Sequence, residues 1–250
     1  MADNEELKNN LVSFRKAFQE YPECYTVIGG AACFILMNEV NLEFRATKDV
    51  DMILILEDRG EAFAKAFWDY IVAGGYTCGW KESEVHYYRF TDPKPGYPAQ
   101  IELFSRRAGF NSDSRIIPVH ISEDVSSLSA IVLDDDFYDF MMQGRTLVDG
   151  LSILDAGHII PFKMFAWLEN IKQRNDGKHV NTDDIRKHKN DVFRLIELIN
   201  PDKKITVTGH VRNCVERFLS EIVNDSVSPV FLKNRTFEDA LDIIKKTYLV

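Results

Sequence analysis

Two aspartates separated by one residue, Asp49 and Asp51, open a run from Met52 to Leu56 that is apolar throughout. Such a run reads as a strand buried on both faces. Residues two apart on a strand point the same way, with Cα atoms about 6.6 Å apart. Two carboxylates on one face of a buried strand suit a hard divalent cation, which takes oxygen ligands and bridges them to phosphates. A solvated strand end is the other reading of the same pair. Upstream, Val27-Ile28 leads into Gly29-Gly30 and the apolar stretch Ala31 to Leu36. A glycine turn feeding a helix leaves backbone N–H groups free to hold phosphate oxygens. It also serves as a plain turn or a close-packing device. In this order, the two features point to a metal and a polyphosphate held side by side.

Other candidates are less specific. Glu102 sits between Ile101 and Leu103, as an outward-facing residue of an alternating strand would. Asp134, Asp135 and Asp136 with Asp139 form an acidic cluster, which reads as a solvated helix N-terminus favoured by the dipole before it reads as a metal site. Lys163 lies at the margin of a helical apolar stripe, where a lysine stem covers apolar surface. His188 falls on the inward line of a later helix, beside Asp191, and reads as a packed core histidine. The four cysteines, Cys24, Cys33, Cys78 and Cys214, show no metal-binding spacing and read as reduced thiols.

The elements that must position these groups follow from periodicity. Leu7, Leu11, Phe14 and Phe18 mark a helix over 4–20, ended by Tyr21-Pro22. A strand over 25–28, the glycine turn, a helix over 31–38 and the strand over 49–56 come next. Glu61 to Ala73 forms a helix with Phe63, Phe67 and Ile71 inward. Strands follow at 76–80, 86–90, 101–105 and 116–121, with a turn at Asp92-Pro93-Lys94-Pro95-Gly96. Asp149-Gly150 between apolar segments is a hairpin signal of the type I′ kind. The remainder is helical: 160–174 opening at Pro161, a helix capped by Thr182 and stopped by Pro201, one through Val211 to Ile222, and one capped by Thr236. The expectation is an α/β (α+β) fold with domains at 1–155 and 156–250.

The bulk numbers bound the class. With 250 residues, 45% apolar and 28% charged, the chain reads as an ordinary globular protein. No run reaches membrane-span length and no signal-peptide pattern opens the chain, so a cytoplasmic protein is expected. A net charge of −9 argues against broad nucleic-acid binding, which needs a positive surface.

Gly29-Gly30 followed by Arg45-x-Thr47-x-Asp49-Val50-Asp51, with residues 31–48 between Gly30 and Asp49, resembles the signature of the nucleotidyltransferase superfamily, the DNA polymerase β-like fold. The Arg-x-Thr-x-Asp-x-Asp form resembles the bacterial abortive-infection toxin nucleotidyltransferases of the AbiEii type. The segment from Ile159 to Arg174, then Lys187 to Leu195, is similar to the C-terminal motif of that group. The resemblance implies a mixed sheet flanked by helices, with a helical bundle completing the nucleotide cleft. It implies Asp49, Asp51 and Glu102 as ligands of Mg²⁺ or Mn²⁺ in a two-metal arrangement. Gly29, Gly30, Arg45 and Thr47 would hold the nucleoside triphosphate. Lys163 would contact the triphosphate, with Arg174 and Lys187 or Lys189 near it, and Asp191 would orient the lysine or act as a base.

The activity so implied is transfer of a nucleoside monophosphate to an acceptor hydroxyl, with release of pyrophosphate. Acceptors in the superfamily include tRNA ends, proteins and small molecules. The toxin resemblance adds an antitoxin as a partner. The rival expectations are a catalytically inactive nucleotide-binding relative and a protein of the same fold that docks a partner.

Overall fold

Apolar residues at helical spacing decide the first element. Leu7, Leu11, Phe14 and Phe18 are all buried on one face of α1 (Ala2–Phe18). The computed structural model describes residues 2–45, 47–55, 60–81, 84–106, 116–119, 128–200 and 202–249. It divides the chain into two units: Met1–Tyr138 with Arg145–Leu154, and Asp139–Gly144 with Asp155–Val250.

The first unit is a mixed sheet with helices. After α1 come β1 (Tyr25–Ile28), α2 (Gly29–Glu39), β2 (Asp49–Leu54), α3 (Gly60–Gly74), β3 (Thr77–Lys81), β4 (Glu84–Thr91), β5 (Gln100–Arg106), β6 (Ile116–Val119) and β7 (Leu128–Leu133). Helix α4 (Asp135–Gln143) follows in the chain, its part from Asp139 on belonging to the second unit, then the hairpin β8 (Arg145–Val148) and β9 (Leu151–Leu154) of the first. The strand order is β3-β4-β5-β2-β1-β9-β8. One edge of β5 serves two partners: Gln100 to Glu102 pair antiparallel with β4, and Phe104 to Arg106 pair parallel with β7. Its other edge runs parallel to β2. The fold is therefore α/β with a mixed sheet.

Tyr25 on β1 packs its ring against Phe14, Phe18 and Phe63, with centroids 5.9 to 6.1 Å apart. Phe90 on β4 meets Phe67 at 5.3 Å. These contacts identify the sheet face that α1 and α3 cover. Aromatic rings bury much apolar area each, and their edge-to-face pairs add to it. Strand alternation then sends the neighbours of these residues to the other face.

Local chemistry explains several element ends. Asp149 and Gly150 both have positive φ, 51° and 79°, which is the type I′ turn of the β8–β9 hairpin. Asp134 Oδ1 accepts from the Phe137 amide and caps α4, with Asp135 and Asp136 in its first turn. Strand β7 is an element the periodicity reading did not assign. Leu56, the expected end of β2, and His120 and Ile121, the expected end of β6, lie outside the described residues, as does Pro201.

The second unit is helical. It holds α5 (Ala156–Asn175), α6 (Thr182–Leu195), α7 (Gly209–Glu221), α8 (Pro229–Leu232) and α9 (Phe237–Tyr248). Two helix starts differ from expectation. Asp155 caps α5, accepting from the His158 amide at 2.9 Å, so the helix begins before Pro161 and holds that proline inside it. Asn181, not Thr182, caps α6 by accepting from the Asp183 amide. Thr236 caps α9 in a reciprocal capping box with Asp239, as expected.

An interior proline deprives the carbonyl four residues earlier of its helical donor. For Pro161 that carbonyl belongs to Gly157, and it accepts instead from the Tyr248 hydroxyl at 2.5 Å. Burial pushes the Tyr248 phenol well above its ordinary pKa, which keeps it a donor. The last turn of α9 thus supplies the hydrogen bond that the proline removes. Tyr248→Phe should cost about 1–3 kcal/mol of stability, the usual penalty for orphaning a buried carbonyl. Urea unfolding with an unchanged slope is the measurement; a loss under about 0.5 kcal/mol, the range of neutral surface changes, would refute this role.

Candidate functional site

Strand β2 carries the centre of the site in the first unit. Its burial alternates at the start, with Asp49 exposed, Val50 buried and Asp51 half-buried before the apolar remainder. Asp51 is in register with Ile28 of β1 on one side and with Glu102 of β5 on the other. Glu102 is in register with Arg89 of β4. Side chains at paired positions share a face, so Arg89, Glu102 and Asp51 form a row across three strands. Asp49 joins them one step along β2. This is the face turned away from the one that carries Tyr25 and Phe90.

The glycines close the row on the β1 side. Gly29 has φ +67°, a left-handed conformation that strains any other residue. A Cβ there would fall 2.9 Å from Asp51 Cγ and closer still to Oδ2, so the carboxylate lies directly against the glycine backbone. At Gly30 a Cβ would meet Thr47 Oγ1 at 2.7 Å and Arg45 Nη2 at 3.6 Å. Gly29, Gly30, Arg45, Thr47 and Asp51 therefore surround one turn. That turn is the start of α2, an 11-residue helix whose N-cap, Ile28, makes no side-chain cap hydrogen bond. Its first amides can serve an anion, and its dipole favours a negative charge there.

Glu102 differs from the aspartates. Its Oε1 accepts from Arg89 Nε at 2.6 Å, and Arg89 Nη2 contacts the same oxygen. The Glu102 side chain is 13% exposed and that of Arg89 47%. Among the described residues, no three His, Cys, Asp or Glu side chains converge closely enough to hold a metal ion. The fit is to Asp49 and Asp51. Two carboxylates with substrate phosphates are a sufficient set for Mg²⁺, which keeps several waters of its own. Arg89 is the residue that sequence reasoning missed. Its signal, a charge between Tyr88 and Phe90 facing the charge between Ile101 and Leu103, becomes visible only with the strand register.

The second unit holds the remaining sequence candidates. Lys163, expected at the margin of its stripe, is buried, and its Nζ lies 3.0 Å from Asp191 Oδ2. Asp191 is fully buried, and Arg194 Nη1 lies 3.5 Å from its other oxygen. Lys187 turns to Asp184 at 2.7 Å. Lys189 is buried against Asp225 at 2.8 Å and the Ser226 carbonyl at 2.6 Å. Arg174 and Lys189 line one cavity of about 560 Å³ together with Trp167 and Ile185. Lys163 and Asp191 are thus brought together, and Lys187 pairs elsewhere. Among the described residues no helix is long and apolar enough to cross a membrane.

Two substitutions probe these arrangements. Gly29→Ala adds a Cβ where Asp51 lies and a left-handed φ, and should cost about 1–2 kcal/mol for the backbone alone. If the protein holds Mn²⁺ through Asp51, the same variant should weaken that binding in calorimetry, because Asp51 must move. Unchanged stability and binding would show that the turn relaxes freely. Asp191→Ala leaves the Lys163 ammonium buried without its partner and should cost about 3–5 kcal/mol in chemical unfolding. The double variant Lys163→Met with Asp191→Leu should recover most of that loss. Equal losses in the single and double variants would refute a pairing role.

Among solved structures, the chain is similar to an antigenic nucleotidyltransferase-like protein from Paracoccidioides brasiliensis, with 14% identity and a TM-score of 0.47 over 96% of this chain and 93% of that one. No family model matches the sequence. None of the curated proteins matches it.

Proposed function

We propose that the first unit binds a nucleoside triphosphate with a divalent cation and transfers its nucleoside monophosphate to an acceptor hydroxyl. The observation that carries this reading is the meeting of Asp51 with the Gly29-Gly30 turn at the start of α2. The order Gly29, Gly30, Arg45, Thr47, Asp49, Asp51 supports it independently, as does its resemblance to the AbiEii type. That resemblance carries the finer reading, a toxin of an abortive-infection system held by an antitoxin and working in the cytoplasm, where triphosphates and Mg²⁺ are plentiful.

Asp49 and Asp51 would hold the ion, which offsets charge on the phosphate oxygens when bound. The backbone N–H groups of Gly29 and Gly30 donate to triphosphate oxygens, and the helix start adds its partial positive charge. The Thr47 hydroxyl can donate to the same group, and the Arg45 guanidinium supplies a fixed positive charge beside it. In the transfer, the acceptor oxygen bonds to the α-phosphorus as the bond from that phosphorus to the bridging oxygen breaks. Pyrophosphate leaves and the hydroxyl proton passes to solvent.

A second reading has a specific observation behind it. The capture of Glu102 by Arg89 removes a third carboxylate, which suits a protein that holds a nucleotide without turning it over. One experiment separates the two. Triphosphates radiolabelled at the α-phosphate are incubated with the protein, Mg²⁺ and cell extract divided into RNA, protein and small-molecule fractions. Transfer should place label in one fraction and thereby name the acceptor class. Asp49→Asn and Asp51→Asn should each lower it roughly a hundredfold or more, since the ion contributes several kcal/mol. Equal labelling by wild type and both variants would overturn the assignment. Silence from a wild type that binds the triphosphate would select the second reading.

A further inference from the structure

We infer that the cavity between α5, α6 and the segment after α7 is a site for a small organic carboxylate with an apolar body, rather than for the triphosphate. Two helical spacings build it. Trp167, Ile171 and Arg174 follow one another at four and three residues on α5, and Thr182, Ile185 and Lys189 at three and four on α6. Each trio therefore lies along one face of its helix. The third wall starts at Glu221, the last residue of α7, and the Lys189–Asp225 ion pair ties α6 to it. Trp167 and Ile185 are buried and form an apolar floor, while Arg174 and Thr182 are exposed at the rim. At about 560 Å³, with that floor and a polar rim, the cavity has the size and lining of a small-molecule site.

What the lining leaves unmatched is donors. Trp167 is 1% exposed, and its Nε1 has no hydrogen-bond acceptor among the described residues. Lys189 gives two of its three N–H groups to Asp225 and the Ser226 carbonyl. The two acids of the lining are both engaged, Asp225 by Lys189 and Glu221 by Arg217. Arg186 at the rim turns to Asp183. Arg174 makes no ion pair among the described residues. The charge left to match is thus one guanidinium, whose planar fork suits a carboxylate, and Ile171 and Ile185 beside the indole suit an apolar body behind it. The acids nearby would repel the several negative charges of a triphosphate. Lys163 and Asp191 do not line the cavity. The resemblance set Arg174 near the triphosphate; the cavity gives it another anion.

The test is an NMR titration of protein carrying ¹⁵N in its tryptophan indoles, with 1-naphthoate as the probe. Trp68→Phe and Trp80→Phe separate the three indole signals, so that Trp167 is identified without being replaced. The Trp167 signal should move saturably, with half-saturation below about 1 mM. Arg174→Gln changes an exposed residue, should unfold thermally like wild type, and should weaken the probe roughly tenfold or more, as loss of a charge-assisted hydrogen bond does. Neutral 1-naphthalenemethanol should be weaker than 1-naphthoate by a similar factor, and this comparison in wild type decides alone if Arg174→Gln does not fold. Asp51→Asn should bind 1-naphthoate as wild type does, which keeps the outcome here apart from that of the proposed triphosphate site. No saturable shift in wild type, equal affinity in a folded Arg174→Gln, an equal response to the alcohol, or loss of binding in Asp51→Asn would each overturn the inference. Tighter binding of 1-naphthyl phosphate or of ATP with Mg²⁺ at the same signal would reassign the cavity to phosphate esters and overturn it too.

Discussion

The register of β2 between β1 and β5 is the constraint on which the first unit depends. Hydrogen-bonded on both edges, β2 has no freedom to slide, and its side chains alternate between the two sheet faces. Val50, Met52 and Leu54 are buried on one side; Asp49 and Asp51 are left on the other. A slip by one residue would carry both carboxylates into the apolar layer beneath α1 and α3, where an unpaired charge is far too costly. The same hydrophobic burial that builds the core therefore fixes the aspartates against Gly29 and Glu102. Fold and site share one determinant.

How much could be read beforehand follows from where the determinants sit in the chain. Local signals were legible: the Asp149-Gly150 turn, the Thr236 cap, the helical spacing of Leu7, Leu11, Phe14 and Phe18, and the apolar strand after Asp51. Each depends on residues within a few positions of one another. The start of α5 is not legible locally, because Pro161 by itself fits a first-turn position. The hydrogen bond that lets a proline sit deeper comes from Tyr248, far along the chain. Periodicity alone leaves Lys163 at a surface margin, while the resemblance to the AbiEii type implies its pairing with Asp191. Its spacing allows either the edge or the interior, and only Asp191 on another helix decides between them. Arg89 was invisible because its partner depends on the pairing of β4 with β5.

The second unit handles buried charge by saturation. Asp191 faces Lys163 and Arg194 from its two oxygens, and Lys189 is divided between Asp225 and the Ser226 carbonyl. Such groups add little net stability over apolar replacements, but each is severe to lose singly. They fix which face of α6 turns inward more sharply than Ile185 and Val192 would alone, since an apolar face tolerates small rotations and an ion pair at 3.0 Å does not.

The first unit keeps its carboxylates by two different means, and the contrast bears on chemistry. Glu102 is stabilised by a side chain, and a side-chain partner competes directly with any incoming cation. Asp51 lies against a backbone turn at a helix start, whose dipole field favours its charge. A carboxylate held by a guanidinium coordinates a cation only after giving up that partner. Gly29 makes the position of Asp51 possible twice over, by adopting a left-handed φ and by offering no Cβ where the carboxylate must sit. The least bulky residue in the site thus determines how closely Asp51 approaches the backbone.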